Sequence, residues 1–206
     1  MSTSRLGIID YGAGNLHSVR NTFRAAGYES TLVSQPSHLE GLTHLVLPGV
    51  GEFGDCATKL RAQGLEEHVR SWIAEDKPFL GICVGYQILF ESGDESPGVP
   101  GLGILRGHVR KFPEGDLKVP HMGWNGISLL HPEDLVWQGM DGHPHFYFVH
   151  SYYPVPENDE WTAATCSYGG TFAAAVRRGN LVATQFHPEK SQKLGIRFLS
   201  NFLTLR

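Results

Sequence analysis

Cys83 stands in GICVGYQ (residues 81–87), with Gly81 two positions before it and Gly85 two positions after. The pattern G-x-C-x-G is that of a nucleophile elbow carrying a thiol in place of a hydroxyl. Pro78 to Cys83 is an apolar run that reads as a buried strand, and Val84 to Glu91 reads as a helix with Ile88 and Phe90 turned inward. Glycine on both flanks suits such a turn, because strand and helix cross there too closely for side chains. A sulfur held at the start of a helix meets unpaired amides that favour negative charge, and the Val84 amide would point at a developing oxyanion.

A thiol nucleophile needs a base, and the base needs a group that fixes its tautomer. QFHPEK (residues 185–190) supplies His187 at the end of an apolar run and Glu189 two residues on, with Pro188 limiting how far the two side chains diverge. Alone, His187 would pass for a strand-end surface histidine; the carboxylate beside it and a second strand end carrying a nucleophile argue for chemistry. PGVGEFG (residues 48–54) also follows an apolar run, and its glycines let backbone approach a substrate, although the stretch reads equally as a glycine-rich turn. It is no phosphate loop, since no Lys-Ser or Lys-Thr follows at the required spacing. Cys56 and Cys166 lack flanking glycines and a base, and read as buried small hydrophobes. His143 and His145 form an H-x-H pair near His150, but no carboxylate or cysteine stands at ligand spacing and Pro144 interrupts the run, so neither a metal nor another cofactor is expected.

These residues need a scaffold that brings strand ends together. Leu6 to Asp10, Ser30 to Val33 and His44 to Pro48 read as short strands. Asn15 caps a helix whose Leu16, Val19, Phe23 and Ala26 keep helical spacing until Gly27, and helices follow over Asp55 to Gln63 and around Leu65, Val69, Trp72 and Ile73. Strand and helix alternate, so the reading is an α/β fold with a mainly parallel sheet covered on both sides. Ser92 to Gly107, rich in Gly and Pro, reads as an internal loop. His145 to Tyr152, Phe172 to Val176 and Leu181 to Phe186 are closely spaced strands that suggest antiparallel additions, and a helix from about Ser191 closes the chain with Leu194, Phe198 and Phe202 on one face.

Length and composition are consistent with that picture. The 206 residues fit one domain, expected to span 1–206, with a core that needs no staples. Three cysteines, an odd number without paired spacing, point to a reducing compartment and a cytoplasmic protein. The first residues lack a basic stretch and a cleavage pattern, and no later run is apolar enough to span a bilayer, so no secretion and no membrane association are expected. A formal net charge of −4 with scattered Lys and Arg leaves no footprint for nucleic acid.

GICVGYQ, LPGVGEFG and QFHPEKS together resemble the class I, triad-type glutamine amidotransferases. IIDYGAGNLHSV (residues 8–19), PHMGWN (120–125) and YFVHSYY (147–153) are similar to one branch of them, the glutaminase subunits of imidazole glycerol phosphate synthase in histidine biosynthesis; the similarity runs from about Leu6 to Leu203. The resemblance implies a three-layer, flavodoxin-like α/β fold and hydrolysis of L-glutamine to glutamate and ammonia through a glutamyl thioester. By matching position, Cys83 becomes the nucleophile, His187 the base and then acid, and Glu189 its orienting partner. The oxyanion hole falls to Val84, Gly49, Val50 and Gly51, and the substrate's amino-acid end to Gly51, Gln87, Glu95, Ser151 and Tyr152, with Glu95 meeting the α-ammonium. The implied partner is a (β/α)8-barrel cyclase in a heterodimer, which turns the ammonia into imidazole glycerol phosphate and an aminoimidazole carboxamide ribotide. Tyr11, Asn15, His121, Trp124, Asn125 and Lys190 are expected at that interface, Trp124 in a glycine-flanked turn. Val84 and Tyr86 stand where Leu and Met are more usual. Rival readings are the glutaminase of another synthase (anthranilate, pyridoxal phosphate or GMP), against which DYGAGN and PHMGWN count, and a redox-sensing protein whose elbow cysteine is oxidised, against which the intact His-Pro-Glu and Gln87 count.

Overall fold

Four apolar runs become strands buried at every position: β1 (Leu6–Ile9), β3 (His44–Gly49), β4 (Phe79–Cys83) and β12 (Leu181–Thr184). Strands buried on both faces must be covered on both, which is the role of α1 (Leu16–Ala25), α2 (Phe53–Ala62), α3 (Glu66–Ala74) and α5 (Gln192–Phe202). The computed structural model describes residues 4–140 and 142–206, so residues 1–3 and 141 of the expected domain span lie outside the described residues.

One sheet of nine strands runs in the order β2-β1-β3-β4-β12-β11-β10-β7-β8, where β2 is Ser30–Val33, β7 His121–Leu129, β8 His145–His150, β10 Thr162–Ser167 and β11 Thr171–Arg178. Its first five strands pair in parallel and the rest antiparallel, as expected. A second sheet of three strands, β5 (Ser92–Gly93), β6 (Gly107–Lys111) and β9 (Tyr152–Pro156), flanks the cavity described below. At the far edge, β8 reaches back to the segment after β12 through an isolated bridge between Tyr147 and His187.

Three expectations need correction. The helix expected over Val84 to Glu91 stops after one turn, α4 (Val84–Gln87). Ile88, Leu89 and Phe90 are all fully buried, and the carbonyls that would have continued the helix accept instead from the glycine-rich stretch: Leu102 N to Ile88 O at 2.6 Å, Ile104 N to Leu89 O at 2.9 Å, Gly103 N to Phe90 O at 3.1 Å and Gly101 N to Glu91 O at 2.9 Å. The internal loop thus completes the hydrogen bonding of the elbow's own helix. The strand expected over His145 to Tyr152 divides at Ser151 between the two sheets, because β8 pairs with β7 whereas β9 pairs with β6. PHMGWN is strand, not turn: β7 carries His121 to Leu129, and its three small or polar residues Gly123, Asn125 and Gly126 hid the period-2 pattern.

Candidate active site

β4 delivers Cys83 at φ 55°, ψ −110°, a backbone conformation that a side chain rarely adopts and that costs about 1–3 kcal/mol wherever it persists. Neighbouring backbone holds it there. Gly49 pairs in register with Cys83 across β3 and β4, and a Cβ on Gly49 would run into the Gly85 amide and the Val84 carbonyl carbon. A Cβ on Gly85 would strike the Leu47 carbonyl oxygen, and one on Gly81 would lie 2.9 Å from Gly85 O. The expected glycines are therefore required by three segments of backbone meeting at one point. As the first residue of α4, Val84 has an amide that helix geometry leaves without an intrahelical acceptor.

His187 is buried, with Nδ1 at 2.7 Å from Glu189 Oε1 and with Nε2 buried and unpartnered among the described residues. Burial pulls its pKa down, but the neighbouring Cys83 sulfur, followed by Glu189, pushes it up to about 10. The protonated ring is thus favoured, facing the Cys83 sulfur. The backbone of His187 is also pinned: its N–H donates to Tyr147 O at 2.9 Å, and its carbonyl accepts from Ser191 Oγ at 2.6 Å, while Ser191 Oγ accepts from Tyr147 N at 3.0 Å.

Cys83 and His187 open into a cavity of about 500 Å³ whose wall also includes Val50, Gly51, Val84, Gln87, Glu95, Ser151 and Tyr152. Nearly every residue expected at the reaction centre or around a substrate is thereby brought together; Gly49 lies beneath the elbow and Glu189 behind His187. Glu95 is half-buried at the start of α2, where its Oε2 accepts from Phe53 N at 2.8 Å; burial raises its pKa, the Phe53 amide opposes that, and Glu52 adds to it. The glycine loop is anchored from the far side. Tyr11 Oη donates to Pro48 O at 2.9 Å, and Cys56 Sγ to Val50 O at 3.6 Å, with burial pushing the Cys56 thiol up to about 11 so that it keeps its proton. A planar trans peptide then turns the Gly51 N–H away from Cys56.

Two of the residues expected at a partner surface are not on the surface. Tyr11 is buried under the glycine loop, and His121 is 3% exposed, stacked on Tyr168 with ring centroids 3.9 Å apart. Trp124 is 48% exposed, its neighbour in period-2 spacing Met122 is 60% exposed, and Lys190 is exposed beside them, with Nζ 5.7 Å from the centre of the Tyr147 ring. Asn15 and Lys190 line the cavity rim.

His150 and Gln185 are site residues that motif reading missed. His150 Nδ1 lies 2.8 Å from Tyr152 O, an atom that can only accept, so this nitrogen carries the hydrogen and Nε2 accepts from His121 Nδ1 at 2.9 Å. His121 Nε2 then accepts from Asn125 Nδ2 at 3.3 Å. Both rings are neutral, burial first of all pulling His121 to about 4 and His150 to about 3. His145 sits on the opposite face of β8 from His150, and among the described residues no three His, Cys, Asp or Glu side chains group as metal ligands.

The glutamine amidotransferase class-I family model matches residues 7–205. The imidazole glycerol phosphate synthase subunit HisH of Syntrophotalea carbinolica is 49% identical over 201 residues, covering 95% of this chain and 97% of its own. The subunit of the same name from a Synechococcus species is 47% identical over 205 residues, covering 98% and 94%. A crystal structure of a glutamine amidotransferase superposes with a TM-score of 0.74 at 26% identity over 97% of each chain.

Proposed function

Since the chain belongs to the class-I glutamine amidotransferases and, within them, to the HisH subunits of imidazole glycerol phosphate synthase of histidine biosynthesis, we propose that it hydrolyses L-glutamine with Cys83, His187 and Glu189 as its triad. The observation that carries this assignment is His187 itself, with one ring nitrogen fixed by a buried carboxylate and the other buried, unpartnered and turned to the cavity of Cys83.

In this reading the Cys83 thiolate attacks the carboxamide carbon, and the carbonyl electrons move onto oxygen, met by the Val84 amide and by amides of the Gly49 to Gly51 loop. His187 Nε2–H passes its proton to the substrate nitrogen as the C–N bond breaks, releasing ammonia and leaving a glutamyl thioester. Water then gives a proton to the neutral imidazole while its oxygen attacks the thioester carbon; the thiolate leaves, and the new acid loses its remaining proton as glutamate. Gln87, Glu95, Ser151, Tyr152 and Gly51 hold the amino-acid end, the Glu95 carboxylate meeting the α-ammonium.

The ammonia passes to a (β/α)8-barrel cyclase. Free ammonia in water would be protonated and lost as a nucleophile, so the two active sites must share a sealed path. Trp124 and Met122 on β7, with Lys190 and Asn15 at the cavity rim, form the surface that seals it. Tyr11 and His121 act from behind that surface.

Treatment with a diazo-ketone glutamine analogue followed by peptide mass spectrometry tests the triad. A single adduct on Cys83, absent in Cys83→Ser, is expected, together with loss of ammonia release in that variant. An unmodified Cys83, or full glutaminase activity in Cys83→Ser, would overturn the assignment.

A further inference from the structure

Gln185 lies between β12 and His187, is wholly buried, and has its backbone amide tied to Ala174 O at 2.8 Å. A sequence of hydrogen bonds fixes which way its side chain faces. Tyr152 O only accepts, so the group of Gln87 that lies 3.0 Å from it is the donor Nε2. The second hydrogen on that nitrogen goes to Gln185 Oε1, also at 3.0 Å. Gln185 Nε2 is then left facing Cys83 Sγ at 3.7 Å.

A buried primary amide costs more free energy than a leucine or methionine of similar size unless its donors are met. Among the described residues, the side-chain acceptor of Gln185 Nε2 is that sulfur. A neutral thiol is a weak acceptor and leaves most of the cost standing, whereas a thiolate accepts strongly. His187 Nε2, the other donor near the sulfur, has no hydrogen-bond partner among the described residues.

We propose that Gln185 is a positioning residue for the hydrolysis: its Nε2–H holds the Cys83 thiolate in place between His187 and the oxyanion amides. The same side chain settles the polarity of Gln87. With both of its hydrogens committed, to Tyr152 and to Gln185, Gln87 presents Oε1 as an acceptor for a donor group of the substrate. The proposal rests on the reading of Cys83 as nucleophile.

Gln185→Met keeps length and apolar volume and removes the donor. Alkylation of Cys83 by iodoacetamide, measured across pH on the full chain, reads the sulfur without requiring glutamine recognition. The rate near neutral pH should fall roughly 10-fold to 100-fold, the worth of a hydrogen bond to a charged group, and the midpoint of the profile should move to higher pH. With the diazo-ketone analogue, the maximal labelling rate should fall more than the half-saturating concentration rises. Gln87→Met, which frees Gln185 to turn over, should shift the iodoacetamide profile in the same direction by less, and stands as the test if Gln185→Met fails to fold. Iodoacetamide profiles that superimpose on that of the parent chain would overturn the role of Gln185. No alkylation of Cys83 in the parent chain would instead sink the nucleophile reading beneath it.

Discussion

Glu189 holds His187 from behind the cavity: its carboxylate, 2.7 Å from Nδ1, fixes the tautomer and favours the charged ring. In Glu189→Gln the contact survives and the charge does not, so ammonia release at saturating glutamine should fall roughly a hundredfold to ten-thousandfold. Retention of parent activity would show that the carboxylate is a bystander. At this scale the meeting of Cys83, His187 and Glu189 was legible because each announces itself locally: glycines around Cys83, and a proline tying His187 to Glu189. Gln185 was not, although it stands in the same six residues. Its partners Gln87 and Cys83 are distant in sequence, and nothing in a single glutamine codon position signals which way an amide will face once β4 and β12 pair. Tyr11 went astray for a similar reason. Its hydroxyl could serve a surface or a buried carbonyl, and only the fold shows Pro48 O above it.

Elements decide how residues far apart share a cavity, and the pair β7 and β8 carries a price in protons. His121 and His150 face each other across these strands in neutral form, held by burial at about 4 and about 3. The unfolded chain binds protons at these rings below about pH 6.5 that the folded chain refuses until much lower pH. The stability they contribute is therefore complete above about pH 6.5 and is lost as pH falls toward 4. His187 has the opposite sign, its contribution being complete below about pH 6.5 and lost as pH rises through about 10. In His121→Phe the urea midpoint should decline less steeply between pH 6.5 and 4 than in the parent chain; an unchanged slope would mean that the ring titrates normally. The parallel half of the sheet was legible because β1, β3 and β4 are unbroken apolar runs. β7 and β10 were not, since one is interrupted by glycines and polar residues and the other is rich in Ala and Thr.

For the whole molecule, the exposed residues of β7 and the rim of the cavity form one continuous region, with Trp124 packed edge-on to Tyr147 and Lys190 over the same ring. An exposed aromatic backed by a packed neighbour is the kind of side chain that carries binding energy at an interface. If this region meets the partner subunit as proposed, Trp124→Ala and Lys190→Ala should each weaken association with it, roughly tenfold or more for Trp124, and lower ammonia transfer relative to ammonia release. Unchanged affinity and transfer in both would place the interface elsewhere.

The bridge between Tyr147 and His187 bears on attempts to redirect this glutaminase to a different synthase. Tyr147 holds the backbone of the base by its carbonyl and reaches Ser191 by its amide, from a strand whose other edge is hydrogen-bonded to β7. This edge of the sheet is thus fastened to the backbone of His187 and could not be swapped by surface design alone. A graft that exchanged β7 and β8 would have to reproduce the backbone contacts of position 147 with His187 and Ser191, so the smallest transplantable module is the edge pair together with the segment that ends in Ser191.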